Sequence, residues 1–169
     1  MARTFRITMR QRELTFQFIS EPNDVNFGGK VHGGAVMKWI DQTAYACACD
    51  WAGGYCVTVY VGGIRFLAPV QIGHVVRVEA KLIRTGTSSM HIAVNVRSRT
   101  LEHEQWTLTT HCIIVFAALD DQGHPREVPA WEPLTEKDRR LHTYASRLME
   151  LRKNIELEMR PFIGDDLTA

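Results

Sequence analysis

The segment Asn26-Phe27-Gly28-Gly29-Lys30-Val31-His32-Gly33-Gly34 runs into an apolar stretch that carries one carboxylate, Asp41. Glycines at the start of a helix leave backbone N–H groups unpaired at the positive end of its dipole. Such an end stabilises an anion or a developing oxyanion. Asp41 lies among Ala35, Val36, Met37, Trp39, Ile40, Ala44, Ala46, Cys47 and Ala48. A carboxylate in that company is either paired or placed for chemistry. An oxyanion donor together with a general base or nucleophile makes the two halves of a hydrolytic site.

Each residue also has a plain structural role open to it. Asp41 can pair with Lys38 or bond to Gln42 or Thr43, and the pattern alone weighs these equally with catalysis. Asn26 beside glycines suits a turn or cap. No nucleophile stands at a spacing that would make His32 a catalytic base, so His32 is expected to pack at the helix entrance or line the site. Geometry adds a constraint. Along a helix, Asp41 falls about 10 Å from the Gly33-Gly34 start, whereas reacting groups must approach to roughly 3–3.5 Å. One acyl carbon cannot meet both, and the simplest resolution is a site shared between two subunits.

The elements that must position these residues follow from periodicity. Alternation predicts a strand over about Leu14 to Ile19. A loop rich in Gly, Asn, Asp and Pro follows, then a helix from about Gly34 to Trp51, apolar on nearly every face as a centrally buried helix must be. Gly53-Gly54 ends it. The period then changes to two. Strands are expected over Cys56 to Phe66 (with a bulge or bend at Gly62-Gly63), Val75 to Arg84, Met90 to Arg97 and Gln105 to Leu119, joined by short turns. A sheet of that size with one apolar helix must wrap around it. Leu134, Leu141, Leu148 and Ile155 recur at heptad spacing after a Pro129 to Pro133 linker, predicting an amphipathic helix. The expected organisation is a domain over 1–130, a helical extension over 131–160 and a frayed tail over 161–169.

The chain has 169 residues, a formal net charge of +1 and 45% hydrophobic residues. That excludes a strongly basic nucleic-acid binder and leaves a globular protein with a sizeable core. Met1 to Ser20 lacks the apolar centre of a signal peptide. The four cysteines show neither metal-knuckle nor disulfide-framework spacing, so they are expected to be small buried hydrophobes in a reducing compartment. A cytoplasmic protein is the expectation. No histidine–carboxylate set has ligand spacing, so no metal is expected.

The run Pro22 to Gly34 with Asp41 following resembles the signature of the hotdog-fold acyl-CoA thioesterases, the bacterial and cytosolic acyl-CoA hydrolases. Cys56-Val57-Thr58-Val59, Phe66-Leu67-Ala68-Pro69-Val70 before Gly73, the Thr87-Ser88-Ser89 turn and Asp120 to Pro125 add to the likeness, which covers about Leu14 to Lys153. The resemblance implies an α+β hotdog fold, with an antiparallel sheet of five to six strands around the central helix. It implies acyl-CoA hydrolysis to free CoA and a carboxylic acid, with no cofactor beyond the substrate's own CoA. It also implies a homodimer as the minimal unit, often three dimers to a hexamer. It makes Asp41 catalytic as base or nucleophile and Asn26 an assisting group; the helix start itself leads to the expectation that Gly33 and Gly34 supply the oxyanion site. Substrate contacts are expected from His32, Thr58, Phe66, Arg84, Thr87, Ser88 and Ser89; Arg139 and Arg140 suit phosphate contacts or a solvated helix face, and for Arg147 the solvated face is the expectation. Gly62-Gly63 departs from the bulkier residues common there and bears on the acyl tunnel. Alternatives are a silent acyl-CoA binder and an enzyme acting on acyl-carrier-protein thioesters.

Overall fold

The computed structural model describes residues 10–163. Strand β1 (Glu13–Ile19) leads through a short 3₁₀ turn (Pro22–Asp24) into helix α1 (Gly33–Ala52). Strands β2 (Cys56–Phe66), β3 (Val75–Thr85), β4 (Ser89–Arg99) and β5 (Thr107–Ala118) follow, and helix α2 (Glu136–Ile163) ends the described chain. The five strands form one sheet in the order β1-β3-β4-β5-β2, with every neighbouring pair antiparallel. This is the expected hotdog arrangement.

Helix α1 is buried because its inward residues are small or aliphatic at helical spacing. Val36, Ile40, Ala44, Cys47 and Ala48 are all at most 3% exposed. Ala44 and Ala48 let the backbone approach the sheet, whose inner face supplies Val76, Val78, Ala80, Leu82, Ile92, Val94, Val96 and Phe116. Burying one Ile40-sized side chain contributes about 1.5–3 kcal/mol. The helix stops at Gly53, whose N–H closes on the Cys49 carbonyl at 2.8 Å.

β2 is irregular. Its register against β5 shifts between Thr58 and Tyr60 and again between Gly62 and Arg65. The second shift falls at the expected glycine pair, where Gly63 takes φ 61°, a conformation that side chains disfavour. The first, around Val59, had no glycine to announce it.

α2 covers the face of the sheet opposite α1. Ala145 is fully buried against Ile83, Ala93 and Ile113, with Leu141, Tyr144 and Leu148 beside it. The sheet is therefore covered on both faces, which periodicity did not foretell. α2 also runs through Pro161 to Ile163, where the sequence reading had begun a frayed tail. Residues 164–169 of that tail, and residues 1–9, lie outside the described residues.

Candidate active site

The first half of the candidate site is the loop before α1. The Val25–Val31 bridge closes it into a small hairpin, and Val31 N–H bonds to the Val70 carbonyl at 2.9 Å, pinning it to the β2–β3 connection. Asn26 organises the tip: its side-chain oxygen accepts from Gly28 N–H at 2.8 Å and Lys30 N–H at 3.1 Å. With that oxygen turned inward, the NH₂ of the amide is the end left to meet a substrate.

His32 caps α1, its Nδ1 accepting from Gly34 N–H at 2.8 Å. An accepting Nδ1 is unprotonated, so His32 here is a cap rather than a proton donor through that atom. A Cβ on Gly34 would lie 3.0 Å from His32 Nδ1, so glycine is what allows the close cap. Gly34 N–H is thus occupied, while Gly33 N–H has no acceptor among the described residues. Gly33 is also the point at which Phe66, half-exposed, reaches α1. An apolar groove opens there, lined in part by Val31, Val36, Phe66, Leu67 and Val70. Leu67 and Val36 were not singled out from sequence, although the Phe66-Leu67-Ala68-Pro69-Val70 run carried the signal.

The second half is Asp41 with Thr58. Thr58 Oγ1 donates to Asp41 Oδ1 at 2.7 Å. Neither Lys38 nor Thr43 pairs with Asp41 among the described residues; Thr43 instead donates to the Trp39 carbonyl at 2.7 Å. The bulge after Thr58 serves this bond. Thr58 stands opposite Phe116 on the α1 face, while Tyr60, after the extra residue, turns to the α2 face. Asp41 is only partly buried, so a carboxylate held by one hydroxyl retains an open oxygen.

The two halves do not meet within one protomer. Gly33, Phe66 and the Asn26 loop gather at the end of the sheet where Phe66 pairs with Thr110. Thr58 pairs with Phe116 toward the other end, and Phe116 pairs in turn with Met90. Thr87 and Ser88, with Ser89 opening β4, form the β3–β4 turn at that second end, two to three strands from Thr58. There Gly86 N–H bonds to Ser89 O, Ala118 N–H to Ser88 O and Val128 N–H to Thr87 O. Arg84 leaves the α1 face altogether: under α2 it donates to Met149 Sδ at 2.8 Å and lies 3.3 Å from His91 Nε2. Arg139, Arg140 and Arg147 are exposed on α2, with Arg139 paired to Glu136 at 3.0 Å. Among the described residues no cluster of His, Cys, Asp and Glu could hold a metal, and no helix is long and apolar enough to cross a membrane.

Cys47, Cys56 and Cys112 have thiols pushed up to about 12, chiefly by burial, and so stay protonated. These three are core groups, as expected, whereas Cys49 is only partly buried.

Residues 28–103 match the Thioesterase superfamily. The acyl-CoA thioester hydrolase YciA of Salmonella typhimurium is 34% identical over 122 residues, 70% of this chain and 92% of that protein. The chain belongs to the hotdog acyl-CoA thioesterases. Within this family, an acyl-CoA hydrolase from Staphylococcus aureus, solved with butyryl coenzyme A and coenzyme A, is 28% identical with a TM-score of 0.83, covering 94% of this chain and 96% of that one. The same enzyme has been solved with an aspartate, an asparagine and a threonine each changed to alanine. Those three positions are spaced along its chain as Asn26, Asp41 and Thr58 are along this one. A hexameric thioesterase of Yersinia pestis is 35% identical with a TM-score of 0.66, covering 70% of this chain and 96% of that one.

Proposed function

We propose that this protein hydrolyses acyl-CoA to free CoA and a carboxylic acid at sites shared between two copies paired through β2. The observation that carries this reading is the position of the two half-sites on an unpaired edge. Among the described residues β2 bonds only to β5, and of its 11 residues Val59 and Val61 are exposed. A long apolar edge of this kind is a template for another strand. The opposite edge, β1, has 7 residues. Antiparallel pairing of two β2 strands about their middle residue, Val61, sets Thr58 of one copy opposite Ile64 of the other, two residues from Phe66. The Asp41–Thr58 pair then faces the Gly33 N–H and the apolar groove of its neighbour, and each dimer has two equivalent sites. The hexameric relatives make a trimer of dimers the natural full assembly.

In this site the acyl chain takes the groove beside Phe66 and Leu67. The thioester carbonyl is polarised by Gly33 N–H and the Asn26 amide, which also accommodate the tetrahedral oxyanion. Asp41, oriented by Thr58, either removes a proton from the attacking water or attacks the carbonyl itself. In both routes CoA leaves as the thiol and water supplies the new oxygen of the acid. The pantetheine passes along β2 toward the Thr87-Ser88-Ser89 turn.

Free-thiol release from acyl-CoAs of graded length, for the native protein and Asp41→Asn, tests the reading. Turnover in the native protein, nearly lost in the variant at unchanged oligomeric state, is the expected result. Absence of release from every acyl-CoA overturns hydrolysis, and equal rates remove Asp41 from the reaction.

A further inference from the structure

α2 is longer than the sheet beneath it. Its first turn sits over β1 and β3, where Asp138 accepts from Arg12 at 2.8 Å with Lys81 at 3.7 Å. Tyr144 hydroxyl lies 3.1 Å from His111 Nε2 on β5. Leu148 reaches Gly63, and the Arg152 guanidinium stacks 4.4 Å above the Tyr60 ring, both on β2. From Asp138 to Arg152 the helix advances about 21 Å, and the five-strand sheet is about 19 Å wide between its edge strands. The helix therefore crosses the strands nearly at right angles and reaches the free edge at Arg152. The remaining turns, Lys153 to Ile163, project about 16 Å beyond it.

That projection carries an apolar stripe. Leu148, Leu151, Ile155, Met159 and Phe162 succeed one another at three- and four-residue steps, one continuous stripe on the side that packs on the sheet. Past the edge the stripe loses its partner: Leu151 is 55% exposed, Ile155 49%, Met159 48% and Phe162 88%. Beneath the crossing, an apolar cavity of about 140 Å³ includes Tyr60, Gly62, Leu148, Leu151 and Ile155 in its lining.

We infer that the projecting half of α2 is a strap that crosses the β2–β2 seam and seats on the outer face of a second copy's sheet, antiparallel beside that copy's own α2, which crosses β2 at the same Tyr60–Gly63 segment. The argument is continuity. A sheet extended through the free β2 edge supplies a surface in the plane toward which the stripe already points. A 16 Å projection spans about three of its strands. The dimer that shares the site on the α1 face would thereby be clasped from the opposite face. This inference rests on the β2 pairing proposed above.

The test is the dimer dissociation constant, measured by sedimentation over a dilution series for the native protein and for Ile155→Glu/Phe162→Glu. A Leu157→Glu control lies on the opposite side of the helix. The double variant is expected to weaken the dimer at least tenfold and to make thioester turnover per subunit fall on dilution, while Leu157→Glu matches the native protein. A double variant with native dimer affinity overturns the strap, as does one that loses only a higher assembly while its dimers stay intact. A native protein that is monomeric and fully active at all dilutions overturns the shared site itself, so the two failures are distinguishable. Hydrogen exchange of residues 151–163 keeps the strap falsifiable should the double variant misfold. In the native protein, protection must rise with the dimer fraction, and protection independent of concentration overturns the proposal.

Discussion

The two faces of the sheet treat their polar groups differently. Under α2, His111 lies 2.7 Å from Asn95 Oδ1 and 3.1 Å from the Tyr144 hydroxyl, so both ring nitrogens are spoken for. Asp138 is likewise enclosed, 4% exposed and paired with Arg12. On the α1 face, and among the described residues, Asp41 has one hydrogen-bond partner, Asn26 uses only its amide oxygen and Gly33 N–H has no acceptor. Groups that satisfy one another under a helix hold a structure together. Groups left half-satisfied at a partly open rim can take a substrate. His111, with its Asn and Tyr neighbours, has the look of a catalytic set, yet its partners bind the sheet to α2.

Breaking one face should cost turnover, and breaking the other should cost stability. The largest effect is expected for Asp41→Asn, which should lower kcat by about 10²–10⁴-fold with an unchanged melting temperature, read by thiol release and calorimetry. Asp138→Ala should do the reverse. It removes the buried partner of Arg12, which keeps Glu13 at 3.5 Å, and should cost about 1.5–3 kcal/mol in urea unfolding, with turnover of the folded fraction retained.

Acid should likewise act through the α2 face. Burial is the main cause lowering His91, to about 4, with the Arg84 charge adding to it, and burial also lowers His111. The unfolded chain takes up these protons near pH 6.5 while the folded chain resists. Stability should therefore fall as the pH drops from about 6.5 toward 4, by up to about 1.4 kcal/mol per pH unit for each proton. The Asp138 carboxyl, held down first by its hydrogen bond from Arg12, contributes stability that is lost only on further acidification through its lowered folded value. Denaturant melts at stepped pH check this, and a flat profile would remove the buried histidines from the account. The smallest effect is expected for Thr58→Val: about tenfold in kcat (roughly 1.4 kcal/mol) and little in KM, because the hydroxyl orients Asp41 without being consumed.

The sequence by itself determined the element types and nearly all their boundaries, since alternation and helical spacing are local consequences of one buried face. It also marked Asn26, Asp41 and the Gly33-Gly34 helix start, because glycines before a helix and an acid in an apolar run are visible without any fold. What joins distant segments was decided only by the tertiary structure. The Thr58–Asp41 bond depends on a bulge at Val59 that no glycine signals. Whether Gly34 N–H is open depends on the His32 rotamer. Arg84, expected among the substrate contacts, follows a register shift between Leu82 and Arg84 to the other face. The amphipathic stripe of α2 was legible as a heptad, but its length counts only against the width of the sheet it crosses. Local periodicity fixes which side of an element is apolar, and only the assembled sheet fixes what that side meets.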